Sequence, residues 1–166
     1  MKIWIGIDNG VTGTIGIINE EGHVYEFFKT PVIKCLDYTK AKKYIHRIDS
    51  VSLTKKLSLY KPEHGELDVL VLIERPMVNP TRFVATTSAL RALEALLIIV
   101  ESLGIPYKFI DSKEWQKAML PKGIKGSIEL KQASKEIGKR LFPQFAINHP
   151  DMDGLLIAEY GRIKKI

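Results

Sequence analysis

Residues 2–18, KIWIGIDNGVTGTIGII, constrain the fold more than any other part of this chain. Ile3, Ile5 and Ile7 alternate with Trp4 and Gly6, a period of two that predicts a strand. The run stops at Asp8, and after the turn residues Asn9, Gly10, Thr12 and Gly13 it resumes over 14–18. An acid therefore stands at the tip of an apolar hairpin whose Ile- and Gly-rich strands need cover on both faces. A bare carboxylate there is costly. Two solutions are open: a bound metal ion, or a turn in which Asp8 bonds its own backbone.

With 166 residues, 45% of them apolar and 27% charged, the chain suits one soluble domain with a core that needs no disulfide. No apolar run approaches the length of a membrane span, and Met1 leads into a strand rather than a signal peptide, so no membrane partner is expected. The single cysteine, Cys35, has no internal bridging partner, which points to a reducing, cytoplasmic setting and a neutral, half-buried thiol. The formal net charge is +6. Residues 34–61 hold eight Lys/Arg against two acids, and 112–142 hold eight against three. Charge gathered in this way is an electrostatic footprint for a polyanion, unless both segments are simply solvated faces.

Glu20, Glu21 and Gly22 make a second turn, and 23–29 (HVYEFFK) reads as a third strand, completing an antiparallel meander. Pro31 ends it. Ile45, Ile48, Val51, Leu53, Leu57 and Tyr60 predict a helix that begins in the thirties or forties, within a basic insertion around 34–62. After the polar connector 62–66, the run 67–73 (LDVLVLI) has the unbroken apolarity of a central strand and ends in Glu74. A loop at 77–82 leads to a long helix ending at Ser102, with Leu90, Leu93, Leu97 and Val100 at helical spacing and Leu96, Ile98 and Ile99 widening the stripe to two sides. Gly104 closes it. A strand at 105–110, a helix at 113–119 capped by Asp111 or Ser112, a loop at 121–126 and a basic amphipathic helix at 127–141 follow. The last helix spans 151–164, with Leu155, Leu156, Ile157, Ala158 and Tyr160 inward and Arg162, Lys164 and Lys165 outward.

Acids thus fall at the ends of the first and fourth strands, Asp8 and Glu74, and at the start of the last helix, Asp151 and Asp153. If the two strands are neighbours and the helix docks on that edge, the four acids meet. Crowded carboxylates repel strongly at low dielectric, and divalent cations relieve the repulsion. Hard oxygen ligands select Mg²⁺ or Mn²⁺, and two such ions suit phosphodiester hydrolysis. Each acid also has a plainer role available. Asp151 and Asp153 suit the first turn of a helix, and Glu74 suits a strand end paired with Arg75.

The segments GIDNGVTGTIGII (6–18), VLIERP (71–76), SALRALEALLIIVESLGIPY (88–107), WQKAM (115–119) and DGLLIAEYGR (153–162) resemble the RuvC-type Holliday junction resolvases, in particular the bacteriophage-encoded kind. The resemblance runs nearly end to end, and only the basic insertion lies outside it. It implies an RNase H-like α/β fold, with a mixed five-stranded sheet of three antiparallel strands then two parallel ones, flanked by helices, in one domain over 1–166. It also implies a cytoplasmic homodimer, in a bacterium or phage-infected host, that binds four-way DNA junctions and nicks opposing strands with Mg²⁺ or Mn²⁺, two ions per site. In that reading Asp8, Glu74 and Asp153 bind metal. The family's fourth ligand stands a few residues before the last acid; Pro150 cannot ligate, which leaves Asp151 or His149, and Asp151 brings a charge. Phosphates would run along Lys117, Lys122, Lys125 and Lys131, with Lys117 or Lys131 at the scissile group. Phe83 either stacks on an opened base or faces the core.

Three other functions compete. GIDNGVTGTIGI is also similar to the phosphate-binding hairpin of actin-like kinases and ATPases, which need two such domains around a cleft where this chain has room for one. A non-catalytic junction-binding module would gain nothing from acids facing phosphates. A broader nuclease for forks and flaps would differ only in groove shape and DNA bending.

Overall fold

The computed structural model describes residues 1–40, 42–62, 67–124, 126–145 and 151–166; Lys125, His149, Pro150 and the connector residues 63–66 lie outside the described residues. β1 (Lys2–Ile7), β2 (Thr14–Asn19) and β3 (Val24–Lys29) form the expected meander. The next segment departs from expectation. Instead of a helix from the thirties or forties, β4 (Val32–Leu36) and β5 (Tyr44–Ile48) pair with each other as a separate antiparallel hairpin, and helix α1 begins only at Ser50 (Ser50–Leu57). The expected apolar spacing there mixes two elements: Leu53 and Leu57 of α1 are buried, whereas Ile45 alternates with exposed neighbours on β5. Asp49 caps α1, accepting from the Ser52 N–H at 3.1 Å. Lys56 pairs with Glu26 at 3.1 Å and ties α1 to β3.

β6 (Asp68–Glu74) pairs in parallel with β1, and after α2 (Phe83–Ser102) the short β7 (Tyr107–Ile110) pairs in parallel with β6. The main sheet has the order β3-β2-β1-β6-β7, the mixed five-stranded arrangement expected. α3 (Ser112–Met119), α4 (Ser127–Leu141) and α5 (Asp153–Lys164) complete the chain. One face of the sheet is covered by α1 and α2 through Leu53, Leu57, Leu96, Ile99 and Val100. The other is covered by α3, α4 and α5 around Trp115, Leu155 and Leu156.

α5 is buried nearly all round, as a helix in the middle of a core must be. Its Glu159 is buried too, and Arg162 folds back from the exposed position expected for it to donate to both carboxylate oxygens at 2.7 Å. Glycines let this helix reach the sheet. A Cβ on Gly6 of β1 would overlap the Gly154 carbonyl and the Ala158 N–H, and one on Gly154 would stand 2.5 Å from the Thr14 carbonyl oxygen. Backbone therefore meets backbone at this crossing, which no side chain other than hydrogen permits.

α2 shows the opposite pattern. Its inner face is Ala92, Leu96, Ile99 and Val100, but Leu90 and Ile98 stay 43% and 59% exposed. By length and composition alone the segment Pro80–Ser102 is apolar enough to cross a membrane, contrary to the expectation from unbroken apolar runs. That hydropathy comes from two apolar faces, of which the sheet covers one.

Gly6→Ala is expected to destabilise the protein by about 3 kcal/mol or more, because α5 must lift off the sheet to admit the methyl group. An unchanged melting temperature in a thermal scan would show instead that the helix yields freely.

Candidate metal centre

The parallel register of β1 and β6 runs from Lys2↔Asp68 to Ile7↔Ile73, so the next residues, Asp8 and Glu74, emerge side by side at one edge of the sheet. Asp8 does not form the self-bonded turn. Its backbone N–H closes the hairpin onto the Thr14 carbonyl at 3.0 Å, and its carboxyl hydrogen-bonds Glu74. Arg75 pairs with Asp111 at 3.1 Å, so Glu74 is not held by its neighbour. α5, seated on Gly6 and Gly154, brings the other two acids. Oxygens of Asp8, Asp151 and Asp153 all lie within 4.8 Å of one another, and Glu74 joins them through Asp8. Asp151 fills both of its roles at once: it accepts from the Asp153 N–H at 2.9 Å at the mouth of α5 and faces the cluster.

Neutral donors fix the acids in place. The Thr14 hydroxyl accepts from the Gly154 N–H at 3.0 Å and donates to Asp151 at 3.3 Å. Ser134 of α4 donates to Asp153. The Trp115 indole N–H reaches Glu74 at 3.3 Å. Sequence reasoning missed these three residues. Ser134 carried a faint signal, a small polar residue one turn after Lys131 on an otherwise apolar inner face.

Burial raises the Asp8 pKa well above the usual carboxylate range, with the charges of Asp151, Glu74 and Asp153 adding to it. Glu74 is raised by burial against the opposing bonds from Asp8, Trp115 and Ser112. Asp153 is pushed up to about 7, by burial first and then by Asp151, with the Ser134 bond and the Lys131 charge opposing. A set of oxygen donors that hold protons this tightly for want of positive charge fits a hard divalent ion.

The acids lie between two openings. A cavity of about 380 Å³ is bordered by Asp8, Glu74, Arg75, Arg82, Ser112 and Gln116. A smaller one of about 140 Å³ is bordered by Lys131, Ser134, Lys135, Asp151 and Asp153. Of the two lysines left open above, Lys131 faces the acids. Lys117 is exposed on α3 and makes no contact with them among the described residues, and Lys122 is exposed beyond the end of α3. Phe83 begins α2 beside Arg82 and is 75% exposed, so the core-facing alternative does not hold.

No protein-family model and no curated protein sequence matches the chain. Among solved structures, that of Thermus thermophilus RuvC in complex with a Holliday junction substrate is similar, with a TM-score of 0.67 at 16% identity over 98% of this chain and 94% of that one. A second Thermus thermophilus RuvC structure gives a TM-score of 0.55 at 15% identity, covering 98% of this chain and 96% of that one. The chain therefore has the RNase H-like fold seen in RuvC.

The raised pKa of Asp153 has a defined consequence for stability. Its folded value exceeds its unfolded one, so its contribution is most favourable at about pH 4 and is lost as pH rises to about 7. In chelator, the melting temperature of Asp153→Asn at about pH 8 should exceed that of the wild type by about 3–8 °C, and the gap should close towards about pH 4. Mg²⁺ or Mn²⁺ should raise the wild-type value at about pH 8 and leave the variant nearly unmoved. A gap independent of both pH and cation would remove the metal centre.

Proposed function

We propose that this chain is a divalent-metal-dependent endodeoxyribonuclease that resolves four-way DNA junctions, working as a homodimer that nicks opposing strands. The observation that carries the proposal is the meeting of Asp8, Glu74, Asp151 and Asp153 at one edge of a RuvC-like sheet, with basic residues at both openings. These four acids would hold the metal, Mg²⁺ or Mn²⁺, as two ions if the site works as a two-metal centre. When bound, it supplies the positive charge that makes their proximity tolerable and that polarises a phosphodiester and its attacking water. Ser134 and Thr14 hold Asp153 and Asp151 in orientation, and Trp115 does the same for Glu74. Lys131, near enough for its charge to act on Asp153, would meet the scissile phosphate. Lys117, Lys122 and Lys125 would extend the track along the backbone. Phe83, exposed where the cleft meets α2, would stack on an unpaired base at the crossover.

A homodimer suits a substrate with two-fold symmetry. Leu90 and Leu97 recur at seven-residue spacing on α2, beside the exposed Val84 and Ile98, and form an apolar stripe that a second copy would cover. Burial of this stripe also accounts for the membrane-like hydropathy of α2. A broader branched-DNA nuclease is the alternative, since forks and flaps meet the same acids. An actin-like nucleotide-binding role has less support, because there is one five-stranded sheet, and beside the β4–β5 hairpin no second lobe to close over a nucleotide, among the described residues.

The deciding experiment is cleavage of synthetic four-way junctions, forks and linear duplex in Mg²⁺, Mn²⁺ and chelator. Symmetric nicks in junctions alone are expected. Asp8→Asn and Glu74→Gln should abolish nicking with junction affinity nearly intact, while Ser134→Ala should slow it about 10–100-fold. Normal nicking by Asp8→Asn would refute the catalytic assignment, and tight ATP binding without DNA binding would favour the actin-like reading. Leu90→Glu with Ile98→Glu should yield a monomer in sedimentation whose cation-induced thermal shift is unchanged. A dimer that survives both changes would place the interface elsewhere.

A further inference from the structure

We propose that the β4–β5 hairpin is a second nucleic-acid-binding element, an arm that grips the phosphate backbone of a DNA duplex beyond the acidic cleft. The inference rests on the nuclease reading for the identity of the polyanion. Among the described residues β4 and β5 pair as strands only with each other, so the hairpin is a sheet separate from the main one. Its root, however, is fixed beside the acids. The Thr30 N–H donates to the Gly13 carbonyl in the turn that follows Asp8, at 2.9 Å, and Asp49 N–H donates to the Pro31 carbonyl at 2.9 Å. Ile48, at the end of β5, is buried in the core. A contact made by the arm is thus held in a defined place relative to the cleft.

The charge on the hairpin has nothing in the fold to do. Residues 32–48 carry five Lys/Arg and one acid, Asp37, and that acid is occupied in the turn by the Thr39 N–H and hydroxyl at 3.3 and 3.1 Å. Lys34, Lys40, Lys42, Lys43 and Arg47 are all exposed, and none is paired with a carboxylate among the described residues. Like charges held this close on a two-stranded ribbon repel one another, and a neighbouring polyanion relieves that repulsion with release of its counterions.

Aromatic rings pre-order the cations. Tyr38 is 69% exposed, yet its ring stands between the Arg47 guanidinium of the hairpin at 6.0 Å and the Arg91 guanidinium of α2 at 5.9 Å. Lys34 lies 4.6 Å over the Tyr44 ring. Cation–π attraction of this kind holds a guanidinium near its ring without using its N–H donors, which leaves them for a phosphate. Tyr38, Arg47, Ser88 and Arg91 border a cavity of about 230 Å³ between hairpin and helix, with one carboxylate, Glu94, on its wall. The same stretch of α2 borders the acidic cleft through Ala85 and Ala89, with Arg82 just before its first turn. A backbone leaving the cleft across α2 therefore meets Arg91 and then the arm. A two-stranded ribbon is also of a width that a DNA major groove admits.

The test is the salt dependence of affinity in chelator, on a long-armed four-way junction and on plain duplex. Two sets are changed: the exposed Lys34→Gln with Lys40→Gln and Lys43→Gln, and the exposed Arg47→Gln with the half-buried Arg91→Gln. Each phosphate that is no longer neutralised should lower the slope of log K against log salt by about 0.9, so the triple variant should fall by about 2–3 and bind at least about tenfold more weakly at physiological salt. The cation-induced thermal shift should stay as in the wild type, since the acids are untouched. An unchanged slope in both variants would overturn the proposal, and so would loss of self-association with the slope intact, which would make the arm a protein contact. If the wild type cleaves no branched DNA, the nuclease reading fails on its own, and the arm is still judged by the slope on plain duplex.

Discussion

Everything at the candidate centre depends on how closely α5 approaches β1 and β2. Ordinary helix-on-sheet packing keeps the two backbones apart by the thickness of their side chains. Here Gly6, Gly16 and Gly154 remove that thickness, and Gly161 admits Trp4 and Leu72 at the far end of the same helix. The helix start is thereby lowered onto the hairpin until the Gly154 N–H reaches the Thr14 hydroxyl. A retreat of even a side-chain radius would separate Asp153 from Asp8 and leave two half-sites. Close packing, rather than any feature of the acids, makes a single centre of them.

The acids are then held against their own repulsion. Asp8 and Glu74 share a hydrogen bond, Asp153 leans on Ser134, and Asp151 is pinned by the first N–H of α5 and by Thr14. Each such bond orients a carboxylate oxygen at a cost in desolvation that the fold does not recover alone. The arrangement resembles a socket whose contents are cationic. The openings beside it add fixed positive charge from Arg82 on one side and from Lys131 and Lys135 on the other.

What was legible in the chain follows the strength of local patterning. The alternation at 2–18, the apolar run at 67–73 and the glycine stops made the five-stranded sheet and the order of its helices readable. The acids stood out because each interrupts or borders an apolar element. The basic insertion was misread because Ile45 and Ile48 fit a helical spacing as well as a strand; the pairing of β4 with β5, a contact between segments, decided for the hairpin. Exposure on α2 was equally hidden, since hydropathy does not say which of two apolar faces the domain covers. Phe83 and Ile128, both apolar, lie on the surface for that reason, the latter 83% exposed. Ser134, Thr14 and Trp115 left little trace because their roles arise from elements that meet only in the fold. That Lys131 borders the acids, and Lys117 does not among the described residues, has the same origin, since only the packing of α4 carries its lysine past Asp153.

The order of the chain has a bearing on biogenesis. Asp8 and Glu74 belong to strands in the first half of the chain, while Asp151 and Asp153 stand near its end. A polypeptide made only as far as β7 thus carries half of the acidic pocket, on a sheet with one face bare. Docking of the glycine-lined helix completes both the hydrophobic interior and the acidic pocket. Closure of the core and assembly of the pocket are therefore the same step.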